Sequence, residues 1–283
     1  MRFLTNGLSG REPLLIDPAK AKDHAVLAEK FGFTDMLAQL FGVAPKPYVT
    51  ADGIGVIPIV GVIGGPRLSP MEKMMGAVDV ADISSAIDAF AMEPSVHQIA
   101  FNISSPGGTV TGVEELANKI RNLDKPTMSY TDSEMASAAY WIGSQADRVV
   151  ASPSATVGSV GVYMAIPDMT KLYETQGVRM VVIKSTGSPL KGAGIEGTSL
   201  SEEQMAELQS SVDSIHADFK AAIQSKRTMV ADSALRGQTF SGKQAAAQGL
   251  VTGLADSFSQ ALNMFAENSI APAPSILPKQ ILL

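Results

Sequence analysis

The chain contains no cysteine, which excludes disulfides, a thiol nucleophile and thiolate metal sites, and fits a reducing cytoplasm. Histidine is nearly as scarce: His24, His97 and His216 are the whole inventory. None of them abuts a Gly/Ser-rich segment, so the sequence offers no evident Ser–His–Asp arrangement. Positive charge is in deficit, with 22 Lys and Arg against 28 Asp and Glu and a net charge of −6. Without a basic stripe there is no electrostatic footprint for a phosphate backbone, and a nucleic-acid partner is excluded. Long apolar runs are missing as well. The longest, Ile54 to Gly64, is interrupted by Pro58 and is too short to span a bilayer, and Met1 to Asp17 lacks the apolar centre of a signal peptide. A protein that is neither secreted nor membrane-bound is expected. There is no HExxH, no P-loop and no His/Asp/Glu cluster at ligand spacing, so no metal and no cofactor is expected.

What is present suffices for one substantial domain with extensions: 283 residues, 45% of them hydrophobic and 18% charged. Residues 1–50 form a mixed arm, helix-like from Ala19 to Phe41 and then broken by Pro45 and Pro47. Residues 51–266 carry the expected core and 267–283 a Pro-rich tail or linker. Within the core, β-branched and helix-periodic segments alternate, which predicts an α/β class built from repeated βαβ units around a largely parallel sheet. Gly53 to Gly64 reads as a strand pair or bent strand, and Val80 to Phe90 as a helix. Gln98 to Ile103 reads as a buried strand, followed by a helix marked by Val110, Val113, Leu116, Ile120 and Leu123. Then come a strand at Thr127 to Thr131, a helix at Ala136 to Gln145 and a strand at Arg148 to Ala151. Met180 to Lys184 reads as the next strand and 185–198 as a Gly-rich loop. Ser201 and Gln204 have capping-box spacing, ahead of a long amphipathic helix through Leu208, Val212, Ile215, Phe219 and Ile223.

Three junctions combine small residues with hydroxyls. Ser105-Pro106-Gly107-Gly108-Thr109 lies between a strand and a helix, where exposed amides favour negative charge; it reads as an oxyanion hole or as an ordinary turn. Met135 to Tyr140 places Ser137 among alanines at a helix start, either as a hydroxyl aimed into a cleft with the Ala138 amide beside it, or as an N-capping serine. Ser152 to Tyr163 is a Gly/Ser-punctuated loop leading into an apolar strand, or a plain turn.

A serine nucleophile needs a base, and with histidine absent from these loops lysine is the substitute. Its pKa must fall from about 10.4 toward 7–8 through desolvation, a differential interaction of about 4 kcal/mol. Lys184 and Lys191 both flank the Gly-rich loop, and composition does not choose between them; either is also an ordinary surface lysine.

The ordered series SPGGTV (105–110), ASAAYW (136–141), ATVGSVGVY (155–163), a lysine-bearing Gly-rich loop (185–194) and FSGKQAAAQGLVTGLAD (240–256) resembles the signal peptide peptidase A family of serine proteases. Among its members the arm and the missing anchor are most similar to the capsid-assembly (prohead) proteases of lambda-like phages. The resemblance spans about residues 53–258. It implies a ClpP/crotonase-like core and a Ser–Lys dyad, with Ser137 as nucleophile and Lys191 as general base. Ser159 would orient the lysine, Gly108 and the Ala138 amide would be the oxyanion donors, and Gly107 and Thr109 would line the substrate. Two departures stand out: Ala138 where many relatives have glycine, and STGSPLKGAG before and around the lysine, longer than usual and without the acidic residue that often follows. The resemblance further implies a homo-oligomer with the dyad shared between subunits, acting on scaffold, portal or its own chain within the procapsid in the host cytoplasm. A host-type signal-peptide-degrading peptidase, a crotonase-type acyl-CoA enzyme and an inactive capsid-binding relative are the alternatives.

Overall fold

A computed structural model describes residues 14–16 and 45–267. The helical reading of Ala19 to Phe41 and the Pro-rich tail after Asn268 lie outside the described residues.

The architecture is mixed α/β, as the alternating pattern predicts. The main sheet runs from β13 (Gly253–Leu254) through β10 (Arg148–Ala151), β8 (Thr127–Thr131), β6 (Gln98–Ser104) and β3 (Ile54–Val60) to β2 (Tyr48–Val49). All neighbours are parallel except β2, which closes the edge antiparallel. Parallel neighbours require crossovers, and helices supply them. They are α2 (Val80–Met92), α3 (Val113–Arg121) and α4 (Ala138–Gly143), which follow β3, β6 and β8 in the chain. Two further sheets stand beside it. One has the order β1 (Leu14–Ile16), β7 (Gly107–Thr109), β4 (Val62–Gly64), β5 (Ala77–Asp79); the other is β12 (Thr239–Ser241), β11 (Thr156–Gly158), β9 (Glu134–Ala136).

Strand alternation sends one set of side chains to each face. Ile99, Phe101 and Ile103 join Ile57, Ile59, Val149 and the inner faces of α2, α3 and α4 in one core cluster. Ala100, with Val56, Met128, Tyr130 and Val150, packs on the other side against Ala261 and Phe265 of α8 (Phe258–Glu267). Several helix starts carry a side-chain cap. Asp79 caps α2 by accepting from the Ala81 amide, and reciprocal capping boxes at Ser69/Glu72, Ser201/Gln204 and Ser241/Gln244 open α1 (Pro70–Met74), α6 (Glu202–Lys226) and α7 (Gly242–Ala247). The bent strand at Gly53 to Gly64 resolves into β3 and β4, divided at Gly61, where φ is 112° and an added Cβ would collide with the Gly76 carbonyl oxygen.

Three expectations are corrected. The helix read from Ala136 begins only at Ala138, because Ala136 is the last residue of β9, hydrogen-bonded into a strand ladder. The strand after Ser152 is limited to Thr156–Gly158, and just beyond it, among the described residues of 159–163, only Tyr163 sits in a β-bridge. Met180 to Lys184 is no strand: Val181 and Ile183 are 71% and 93% exposed, and among the described residues no strand offers the hydrogen bonds that turn a β-branched run into a sheet member. Between β11 and α6 the chain forms α5 (Thr170–Thr175) and the partly exposed turns of 185–198. Among the described residues no helix is long and apolar enough to cross a membrane.

Candidate active site

Three of the motifs converge at one point, held there by backbone hydrogen bonds. Ser105, just past β6, is bridged to Met135 in β9: its amide donates to the Glu134 carbonyl at 2.9 Å and its carbonyl accepts from Ala136 at 3.1 Å. On the other side of β9, Ala136 is in register with Gly158 of β11. SPGG, ASAA and TVGS are therefore adjacent strands of one local frame.

Ser137 stands where β9 turns into α4. Its φ of 53° and ψ of −121° are forced on a residue that has a Cβ. The bend is fastened on both sides: the Ser137 amide donates to the Gly158 carbonyl at 2.8 Å, and its carbonyl accepts from Trp141 at 2.9 Å. Small neighbours make the turn possible, since a Cβ on Gly143 would come within 2.3 Å of the Met135 sulfur. The hydroxyl does not cap the helix. It is buried, with the residue 1% exposed, and has no hydrogen-bond partner among the described residues. Buried hydroxyls are normally paired; those of Thr109, Ser129 and Tyr130 are also unpartnered among the described residues, but among these residues only Ser137 sits at positive φ. The Ala138 amide opens α4, in the first turn, where amides have no acceptor within the helix.

Gly107 and Gly108 lie along β7, with α4 packed against it. Gly107 has φ of 101° and its amide donates to the Ser105 hydroxyl at 3.2 Å. A Cβ on Gly108 would sit 1.7 Å from the Ile63 carbonyl oxygen, so that position accepts only glycine. Thr109 is buried beside them, its hydroxyl likewise unpartnered. Ser159, next to Gly158, also takes a positive φ, 54°, and its amide donates to the Gln238 carbonyl at 2.8 Å.

The lysines are elsewhere. Lys191 is exposed, and Lys184 donates to the Pro189 carbonyl at 3.0 Å from an exposed position. Neither hydrogen-bonds Ser137 within the chain. The histidines do not substitute: His216 contacts the Leu235 carbonyl at 3.1 Å on α6, and His97 precedes β6. Residues that the motif reading passed over are Ser105, whose backbone fixes the spacing of β7 from β9, and the carbonyls of Gly158 and Gln238, which hold the two strained serines. Backbone acceptors leave no trace in side-chain identity, although Ser105 stands inside the SPGG motif.

The supports of this frame reach across the core. Tyr140 donates to the Leu250 carbonyl at 2.7 Å, which ties α4 to the FSGKQAAAQGLVTGLAD segment. Trp141 stacks on Phe219 of α6 with centroids 4.6 Å apart and planes 7° from parallel.

The family model for peptidase family S49 matches residues 119–269, more than half of the chain. Protease 4 of Salmonella typhi is 30% identical over 213 residues, covering 73% of this chain and 34% of the relative. The capsid assembly protease C of Escherichia phage lambda is 24% identical over 273 residues, covering 87% and 61%. The head-tail preconnector protein GP5 of Enterobacteria phage P21 is 25% identical over 215 residues, covering 75% and 42%. The chain thus spans between a third and about three-fifths of the length of these relatives. Among solved structures, a point mutant of ClpP1 from Listeria monocytogenes superposes with a TM-score of 0.46 at 12% identity, covering 72% of this chain and 93% of that one. An enoyl-CoA hydratase/isomerase family member gives 0.42 at 16% identity, covering 81% and 77%.

Proposed function

The chain belongs to peptidase family S49, and from that premise we propose that it is a serine endopeptidase with Ser137 as nucleophile. The observation that carries this is the Ser137 bend: a buried hydroxyl with no partner among the described residues, on a residue held at positive φ between a strand and a helix. A hydroxyl spent on capping would have satisfied an amide of α4, and this one does not.

In the proposed mechanism a neutral lysine takes the Ser137 proton as Oγ attacks a peptide carbonyl, and the amides of Gly108 and Ala138 stabilise the oxyanion. The leaving amine receives the proton, and the lysine then activates water to release the acyl group. Lys191 is the proposed base and Ser159 its orienting hydroxyl. Because the Lys191 side chain is exposed and Ser137 is buried without a lysine contact, the base is proposed to come from a second copy of the chain. The exposed apolar residues Val178, Met180, Val181 and Ile183 on the same segment support an oligomer that covers them. Burial at that boundary would also lower the lysine pKa, as the chemistry requires.

The proposed substrates are capsid scaffold, portal or the chain itself, cut within the procapsid in the host cytoplasm. Similarity to a relative named for capsid assembly supports this, along 87% of this chain. The test is co-expression with the neighbouring head proteins, following cleavage for wild type and for Ser137→Ala, Lys191→Ala and Lys184→Ala. Loss with Ser137→Ala and Lys191→Ala is expected. Cleavage surviving Ser137→Ala ends the assignment, and loss with Lys184→Ala alone moves the base.

A further inference from the structure

The strand that carries the proposed oxyanion glycine has no free edge. On one side β7 pairs with β4, Gly108 opposite Ile63. On the other, β1 lies antiparallel to it, with Leu14 opposite Thr109, Leu15 opposite Gly108 and Ile16 opposite Gly107. The pairing joins segments far apart in sequence, and it falls on the strand that carries Gly107 and Gly108. Gly107 follows closely on Ser105, and Ser105 is hydrogen-bonded to both Glu134 and Ala136, the residues that lead into Ser137. As β1 runs against β7, its C-terminal end, Ile16, is the part placed at the Gly107 end and so toward the nucleophile.

An extended peptide that is to be cut at Ser137 must present its backbone to donors and acceptors beside the oxyanion glycine, and adding a strand to a sheet edge is how a protein does that without regard to side chains. Gly107 and Gly108 keep this edge clear of side chains, so a second backbone can approach closely. The sequence delimits the segment that has taken the place: Pro13 and Pro18, which have no amide hydrogen, bracket the apolar Leu14-Leu15-Ile16.

We propose that the β7 edge is the substrate-docking edge and that β1 is its intramolecular occupant, a substrate-like strand of the same chain that an incoming protein must displace. This rests on the reading of Ser137 as nucleophile, and it adds to that reading a regulation: the N-terminal segment competes with substrate for the cleft, and the site opens as β1 leaves. The substrate class follows from the occupant, an extended apolar segment recognised along its main chain.

The experiment uses the full chain carrying Ser137→Ala, so that nothing is turned over, and a fluorescein-labelled peptide of residues 10–18, read by anisotropy. Binding is compared with and without Leu15→Pro, and with and without the pair Leu14→Pro and Ile16→Pro. Between them these variants remove every amide hydrogen of β1, so one of the two must break its pairing. Emission of Trp141 checks that the core is intact. A free peptide can bind only the fraction of molecules whose edge is vacant, so at least one variant should bind about tenfold more tightly than the parent. Equal affinity in all three proteins, or no binding by any, overturns the proposal. Whether wild-type protein cleaves its head-protein partners is a separate measurement, so failure of the peptidase reading and failure of strand competition give different results.

Discussion

The amide of Ser137 donates to the carbonyl of Gly158 across 2.8 Å, so the strained serine is held by a glycine that is itself at φ of 118°. A Cβ at Gly158 would approach the Gln238 carbonyl to 2.9 Å as well as straining the backbone. Gly158→Ala is therefore expected to cost about 1–3 kcal/mol, measured by urea unfolding, and to lower cleavage more than stability by tilting the acceptor that positions Ser137. A variant as stable and as active as wild type would mean that the bend does not depend on this bond.

Ser137 itself makes an unusual stability prediction. Removing a buried hydroxyl that has no partner eliminates a desolvation penalty of about 1–3 kcal/mol, so Ser137→Ala should raise the melting temperature while abolishing cleavage. Glycine also relieves the positive φ, and Ser137→Gly is expected to be at least as stable as Ser137→Ala, in line with the preference for glycine over alanine at an N-cap position. Differential scanning calorimetry of the three proteins decides it; alanine and glycine variants both below wild type would show that the hydroxyl is satisfied and the bend unstrained.

Much of this frame is legible in the sequence, and the parts that are not share a cause. Gln98 to Ile103 announces itself through the run Ile99-Ala100-Phe101, apolar on both faces as a buried parallel strand requires, and Thr127 to Thr131 through its β-branched and aromatic residues. The Ser201/Gln204 box announces α6 because a capping pair is local in sequence. Met180 to Lys184 has the same β-branched composition, yet it forms no strand, because pairing depends on a neighbour that the segment itself does not encode. Leu14 to Ile16 shows the converse, three residues inside an apparent arm that pair with β7. At Ser137, motif order singled out the residue but not its conformation: the positive φ is imposed by Gly158 and Trp141, and small residues on either side have no preference that would reveal it.

The contact between Trp141 and Phe219 allows the α4–α6 junction to be probed directly, because Trp141 is the only tryptophan in the chain. Both rings are buried, and Phe219→Ala would leave a cavity against the indole at a cost of about 3–5 kcal/mol. The emission of Trp141 should change as its stacking partner is lost. Destabilisation below about 1 kcal/mol with unchanged emission would show that α6 does not hold α4 in place.

Asp79 sets an acid limit on stability. Burial works to raise its carboxyl, but the amides of Ala81 and Leu68, at 2.8 and 2.9 Å, and the Lys73 ammonium, at 3.1 Å, outweigh burial and hold it below its ordinary value. A carboxyl depressed on folding contributes stability that is fully present above its unfolded pKa, about 3.9, and is lost as pH falls through the lower folded value. Asp79→Asn keeps one acceptor for the α2 cap but removes the charge. Its urea midpoint should lie below that of wild type by a constant amount from pH 7 to about pH 5, and the gap should close progressively in more acid solution. A gap that stays constant down to about pH 3, below the unfolded pKa, would assign the loss to packing rather than to the ionised cap.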